Sequence, residues 1–284
     1  MMVSRFVVVR AAMTLLALTL VPQAPAQSVL GVAQWFGVLG AETVTNTGAT
    51  TISGDLGVSP GTSITGENTI TLVGVFQQTN GVALQAQTDA LAAYQGFGGL
   101  FPAIDYSGVN LGDLVLTPGL YSFASSAQLT GLLTFNFRGN ANSRFVFQIG
   151  STLTTESGSA VSVINGTSSS GIFFRVGTSA TLGSSSVFQG NIIANQSITL
   201  NSTAKIVCGR AIALRGAVTM DNNVVSNNCS NGGDFNTGIS DFGSNGYAGV
   251  NAGGVPPSTV VPEPSTIVLI AVDLLLVGGV RRKT

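Results

Sequence analysis

Side chains able to do chemistry are sparse in this 284-residue chain, and the missing ones decide most. There is no histidine, which removes Ser-His-Asp and Cys-His nucleophile systems and histidine-ligated zinc or haem. The acids Asp55, Glu67, Asp105, Asp113 and Glu156 are scattered along the sequence. A glycosidase needs two carboxylates about 5–10 Å apart, and no local pair with a basic helper declares one. Asp55, in Ser53-Gly54-Asp55-Leu56-Gly57, reads as a corner residue that bonds backbone N–H groups in a tight turn. The dense Asp, Asn and Gly of residues 231–260 fit no calcium-loop spacing. Arg210, between Gly209 and Ala211, reads as a satisfied structural arginine. No enzyme, cofactor or metal site is therefore expected. Charged residues are 8% of the chain and the formal net charge is −1, which argues against a nucleic-acid partner and against charge-driven disorder.

The elements that would carry any site are short strands. From residue 150 onward a unit recurs: Ser151-Thr152-Leu153, Ala180-Thr181-Leu182, Ile198-Thr199-Leu200 and Val218-Thr219-Met220. The spacing of the later units is about twenty residues, the length of a solenoid turn. An inserted loop near residues 165–171 accounts for the longer first interval. Between the units lie further short strands, Val187-Phe188-Gln189, Asn191-Ile192-Ile193-Ala194, Ile206-Val207-Cys208 and Arg210-Ala211-Ile212-Ala213, with Gly183, Gly190 and Gly209 at the corners. Three short strands per turn predict a β-solenoid whose stacked turns share one core; a jelly roll or sandwich is the alternative. Residues 77–94 break the pattern. Val82, Ala83, Ala86, Ala90, Leu91 and Tyr94 make one apolar stripe at helical period, with Asn80 or Thr79 as cap and Gly96, Gly98 and Gly99 as stop. Cys208 and Cys229 lie about one turn apart. Neighbouring turns would bring them within disulfide reach, and the alternative is two buried free thiols.

Both ends read as addresses. Residues 1–26 have the layout of a secretory signal: Arg5 and Arg10, a short apolar run, then Ala24-Pro25-Ala26 as the cleavage site. Residues 27–230 form the domain, and residues 231–260 a Gly/Asn/Ser-rich linker. Residues 261–284 contain Pro262-Glu263-Pro264, an apolar segment over 267–280 interrupted by Asp273, and the basic Arg281-Arg282-Lys283. The segment falls short of the ~20 residues of a stable span, so only transient membrane contact is expected. This three-part ending resembles the PEP-CTERM sorting signal of Gram-negative bacteria. That resemblance implies export, processing by an exosortase-type transpeptidase, and a secreted or cell-surface location.

The domain resembles a known family as well. The residues that carry the likeness are Val38-Leu39-Gly40, the run from Thr47 through Thr50 and Asp55 to Gly61, Leu116-Thr117-Pro118-Gly119-Leu120-Tyr121, and Phe145 through Gly150 to Thr155. Ser179-Ala180-Thr181-Leu182-Gly183, Gly209-Arg210-Ala211 and Gly216-Ala217-Val218-Thr219 complete it. In this order they are similar to the microbial ice-binding protein family. The resemblance implies a mainly β fold, a right-handed discontinuous β-helix with one long α-helix packed alongside, and ice as partner through a flat Ser/Thr face. Active members often repeat a T-A/G-x-T/N tetrad there. Thr47-Gly48-Ala49-Thr50 matches it; Ser184-Ser185-Ser186-Val187 and Ser202-Thr203-Ala204-Lys205 depart from it, with Lys205 bringing a strongly hydrated ammonium. The implied ice-binding residues are Thr47, Thr50, Ser184, Ser186, Ser202 and Thr203, and the implied activity is weak or moderate. A surface or biofilm-matrix adhesion protein on the same scaffold is the alternative function.

Overall fold

The computed structural model describes residues 28–228 except 141, 168 and 169. Three rows of parallel strands stack about a common core. The first row runs Ala127–Leu129, Leu153–Thr155, Ala180–Leu182, Ile198–Leu200, Val218–Asp221, Thr43–Thr47 and Ser63–Thr65, a seven-stranded sheet. The second lies under the helix: Ile104–Asp105, Gly119–Phe123, Arg144–Ile149, Gly171–Val176, the later halves of Val187–Ala194 and Lys205–Ala213, then Phe36–Gly40, Asp55–Val58 and Phe76–Gln78. The third joins Val115–Leu116, Leu132–Asn136, Ala160–Ile164, the beginnings of the two long strands, Val224–Ser226, Thr50–Ser53 and Ile70–Val73.

The stacking order is not the chain order. Thr43–Thr47 pairs with Val218–Asp221 on one side and with Ser63–Thr65 on the other. Phe36–Gly40 likewise pairs with Lys205–Ala213 and with Asp55–Val58. The N-terminal turns thus continue the stack beyond the C-terminal ones, and the helix Gly81–Gly98 connects them to Ile104–Asp105 at the opposite end of the second row.

Two details differ from the sequence expectation. Gly190 and Gly209 bend continuous strands rather than ending short ones, so Val187–Ala194 and Lys205–Ala213 serve two rows each. Gly190 has φ of 118°, and a Cβ on its partner Gly209 would lie 1.9 Å from the Gly190 carbonyl oxygen. Only glycine permits that approach. The first repeat unit is also shifted: Leu153 pairs with Ala180, so Leu153-Thr154-Thr155 is the true counterpart of Ala180-Thr181-Leu182. A two-residue shift preserves the face on which each side chain lies.

Alternation fills the interior. Phe135, Phe145, Phe147, Phe174 and Phe188 are fully buried, and Phe147 stacks on Phe174 with ring centroids 4.6 Å apart. Such burial contributes about 1.5–3 kcal/mol per large side chain and makes each turn a rigid rung.

The helix begins at Gly81, after the opening of the 77–94 segment, because Gln77 and Gln78 pair as strand with Gly57 and Val58. Asn80 is the cap: its Oδ1 accepts from Ala83 N at 2.9 Å. Ala83, Ala86, Ala90 and Ala93 are buried with the outward apolar residues Leu39, Val146, Phe173, Ile193 and Ile212 of the second row. The far end is closed by side chains of that row. Gln148 Nε2 donates to Phe97 O at 2.6 Å. Arg175 Nε donates to Tyr94 O at 3.1 Å, with its guanidinium 4.2 Å above the Tyr94 ring, a placement that also suits the negative end of the helix dipole. Gly96 and Gly98 lie inside the helix, and the turn stops at Gly99.

Residues 1–27, Cys229, the linker over 231–260 and the sorting signal with Pro262, Glu263 and Pro264 lie outside the described residues. Among the described residues no helix is long and apolar enough to cross a membrane.

Candidate functional site

The seven-stranded sheet carries one residue type in register. Thr154 pairs with Thr181, Thr181 with Thr199, Thr199 with Thr219, Thr219 with Thr45 and Thr45 with Thr65. Gln128 precedes Thr154 in the same column. The cause is local. In four of these strands the flanking positions are buried aliphatics: Ala180 and Leu182, Ile198 and Leu200, Val218 and Met220, Ala127 and Leu129. Strand alternation then forces the central residue outward, where four C-terminal turns and two strands of the N-terminal segment present threonine. Neighbouring rungs are about 4.8 Å apart.

Three properties suit the column to holding water. Threonine is β-branched and stiff at χ1, so little side-chain entropy is lost on contact. None of the six hydroxyls makes a hydrogen bond to the described residues, leaving each free for water. Within the seven strands the only charged side chain is Asp221, and no outward position carries an aliphatic residue. The third row differs. Val115, Leu132 and Ile164 are exposed there, and Lys205 stands between Val187 and Val224. Lys205 therefore faces away from the threonine column and does not interrupt it, contrary to what the tetrad reading implied.

The residues implied by the tetrads lie beside this column rather than in it. Thr47 is exposed two positions beyond Thr45, and its Oγ1 donates to Met220 O at 3.1 Å. Ser184, Ser202 and Thr203 form stacked corners between the first and third rows. Ser185 N donates to Ser202 O at 3.1 Å, and Thr203 N to Asp221 O at 3.0 Å. Thr50 and Ser186 are each only 1% exposed. Both point inward because the corner returns the chain to the core at that step. Thr50 Oγ1 accepts from Asn223 N at 3.1 Å. Neither can present a hydroxyl to a surface, so these two are corrected from exposed contacts to internal corner residues.

Sequence reasoning passed over Thr45, Thr65, Thr154, Thr181, Thr199 and Thr219 as site residues. Three of them stood in the repeat unit that revealed the solenoid, and the recurrence of threonine between two aliphatics was the available signal. Cys208 is fully buried on Lys205–Ala213. Asp55 fulfils its corner role across turns, its Oδ1 accepting from Val75 N at 2.9 Å and its Oδ2 from Gln77 Nε2 at 3.2 Å. Among the described residues no cluster of His, Cys, Asp or Glu could hold a metal ion.

Known proteins share this fold. A family model described as "Ice-binding-like" matches residues 38–226. An ice-binding protein of Nostoc sp. (strain HG1) is 53% identical over 202 residues, covering 71% of this chain and 75% of that protein. The crystal structure of an ice binding protein from an Antarctic biological consortium aligns with a TM-score of 0.67 at 41% identity, covering 71% of this chain and 92% of the other. A structure of an ice-binding protein from an Arctic yeast gives 0.63 at 28% identity over 70% and 93%. The agreement spans the three strand rows from the first paired strand to the last, and the chain belongs to the ice-binding-like family.

Proposed function

We propose that this protein is an exported, non-enzymatic ice-binding protein, and that the column Thr154–Thr181–Thr199–Thr219–Thr45–Thr65 is the centre of its ice-contacting face. The observation that carries the reading is six in-register threonines with unengaged hydroxyls on one parallel sheet. Each hydroxyl holds a water, and each methyl limits the hydration around it. A rigid lattice of such waters can merge with an ice surface, and many weak contacts acting together give slow release. Thr47 extends the face, and Ser184, Ser202 and Thr203 form its rim. Activity is weak or moderate, because the column is a single threonine wide and is bounded by Asp221 and Gln128.

The rest of the reading accompanies this function. The scaffold is a right-handed discontinuous β-helix with the long helix packed alongside. Residues 1–26 direct export from a Gram-negative cell. The Pro262-Glu263-Pro264 ending is a PEP-CTERM signal read by exosortase-type machinery, and it leaves the domain secreted or at the cell surface. Cys208 and Cys229, the chain's two cysteines, are disulfide partners that clamp the last turn. Ice-recrystallisation inhibition and thermal hysteresis of the purified protein test the proposal. An inert wild type would overturn it in favour of surface adhesion on the same scaffold.

A further inference from the structure

The threonine column is built from two distant parts of the chain. Four rungs, Thr154 to Thr219, come from the C-terminal turns, and two, Thr45 and Thr65, from the N-terminal segment. The face is continuous only while that segment stays seated against Val218–Asp221. We infer that Arg210, on the helix-side row and not on the ice face, is the positioning residue that seats it. This inference rests on the threonine-column reading.

Arg210 is completely buried. Its Nε donates to Gln34 O at 2.9 Å, and Nη2 donates to the same carbonyl. Gln34 belongs to the 3-10 turn Gly31–Trp35 that leads directly into Phe36–Gly40. On its other side Nη1 donates to Asn191 Oδ1 at 2.7 Å, and Asn191 Nδ2 donates to Ile172 O at 2.8 Å. One run of hydrogen bonds therefore ties three successive pieces of the stack: Gly171–Val176, the long strands, and the N-terminal turn. Asn227 reinforces the joint, its Nδ2 donating to Trp35 O at 2.8 Å and to Gln34 O at 3.3 Å. Asp89 on the helix accepts from Val32 N at 2.6 Å.

The choice of arginine is informative. A buried guanidinium is costly to desolvate, and burial lowers its pKa to about 9, so it still carries its charge at neutral pH. An aliphatic residue would fill the space without that cost. What it could not supply is a planar fork able to reach a carbonyl on one segment and an amide oxygen on another. The residues bridged are 176 positions apart in one direction and 19 in the other, a span that suits a latch between chain ends better than local support.

Hydrogen exchange and activity of the purified protein test this together. Arg210→Gln should lower amide protection in Phe36–Gly40 and Thr43–Thr47 by about tenfold or more, with protection in Leu153–Thr155 and Ala127–Leu129 unchanged. The protein concentration needed for recrystallisation inhibition should rise about tenfold, the effect of losing two rungs of roughly half a decade each. Arg210→Lys, which keeps the charge and lacks the fork, should behave like Arg210→Gln. Asn227→Ala, a milder change to the same joint, should show the same regional pattern and covers the case in which the arginine variants do not fold. The decisive arm is the double variant. In a Thr45→Tyr background, where the N-terminal rungs are already blocked, Arg210→Gln should cause no further loss. Additive losses, uniform loss of protection, or unchanged protection would each overturn the inference. Failure of the face itself shows separately: a folded Thr199→Tyr variant with wild-type activity sinks the column reading, whereas an active face indifferent to Arg210 sinks only this inference.

Discussion

Replacing Thr199 by tyrosine is the sharpest perturbation of the proposed face. Thr199 has Thr154 and Thr181 on one side and Thr219, Thr45 and Thr65 on the other. A phenol at this rung stands well above the plane of the threonine methyls and holds a flat surface away from both neighbours, about 4.8 Å distant on each side. Three of six rungs are lost, and the survivors are split between the two ends. At about 0.5–1.5 kcal/mol for each net hydrogen-bonded contact, the loss is roughly 1.5–4.5 kcal/mol, or about one to three decades in effective affinity. The side chain points to solvent from a strand whose other residues, Ile198 and Leu200, are buried, so the fold should change by less than about 0.5 kcal/mol. Recrystallisation inhibition and thermal hysteresis at matched concentrations, with circular dichroism melting as control, give the answer. Wild-type activity in a folded Thr199→Tyr protein would refute the assignment of the face.

Other outcomes follow from the same geometry. Thr50→Val should lower stability by about 1–3 kcal/mol in urea unfolding, because it leaves the buried Asn223 N–H without its acceptor; an unchanged midpoint would show that the corner does not depend on this bond. Activity should be flat between about pH 5 and 8, since the chain has no histidine and threonine does not titrate; a step in that range would point to a different surface. Non-reducing peptide mapping should link Cys208 to Cys229, and reduction should cost roughly 2–4 kcal/mol; two freely alkylated thiols would remove that clamp from the account.

The architecture was legible because its physical cause is periodic. Alternating aliphatic and hydroxyl residues at a twenty-residue interval announce stacked turns, and the alanine stripe announces a helix that can lie close to them. The continuation of the stack by the N-terminal turns has no periodic signature of its own. It depends on pairings such as Thr45 with Thr219, between segments that resemble any other strands. Two of the implied site residues, Thr50 and Ser186, were placed on the wrong side of a corner for a related reason. A tetrad match records residue types, but whether Thr50 points out or in depends on where the chain turns, and here it turns so that Thr50 bonds Asn223 inside. Ser184 and Ser186 differ in the same way, half-exposed and buried two residues apart. The threonine column was visible as recurrence, yet it served as evidence of strand identity rather than of function. Lys205 was assigned to the ice face from its place at the end of a tetrad, whereas the beginning of the long strand that it opens lies in the third row.

Adsorption of the fluorescently labelled protein to a single growing ice crystal measures directly which face meets ice. Wild-type protein should accumulate on the crystal. A variant with Thr181→Glu and Thr219→Glu, which places two hydrated charges in the column without touching the core, should be swept away by the advancing ice. A variant with Leu132→Glu and Val187→Glu, which alters the third row in the same manner, should adsorb like wild type. Adsorption lost only through the third-row pair, or retained by the folded column variant, would contradict the central claim.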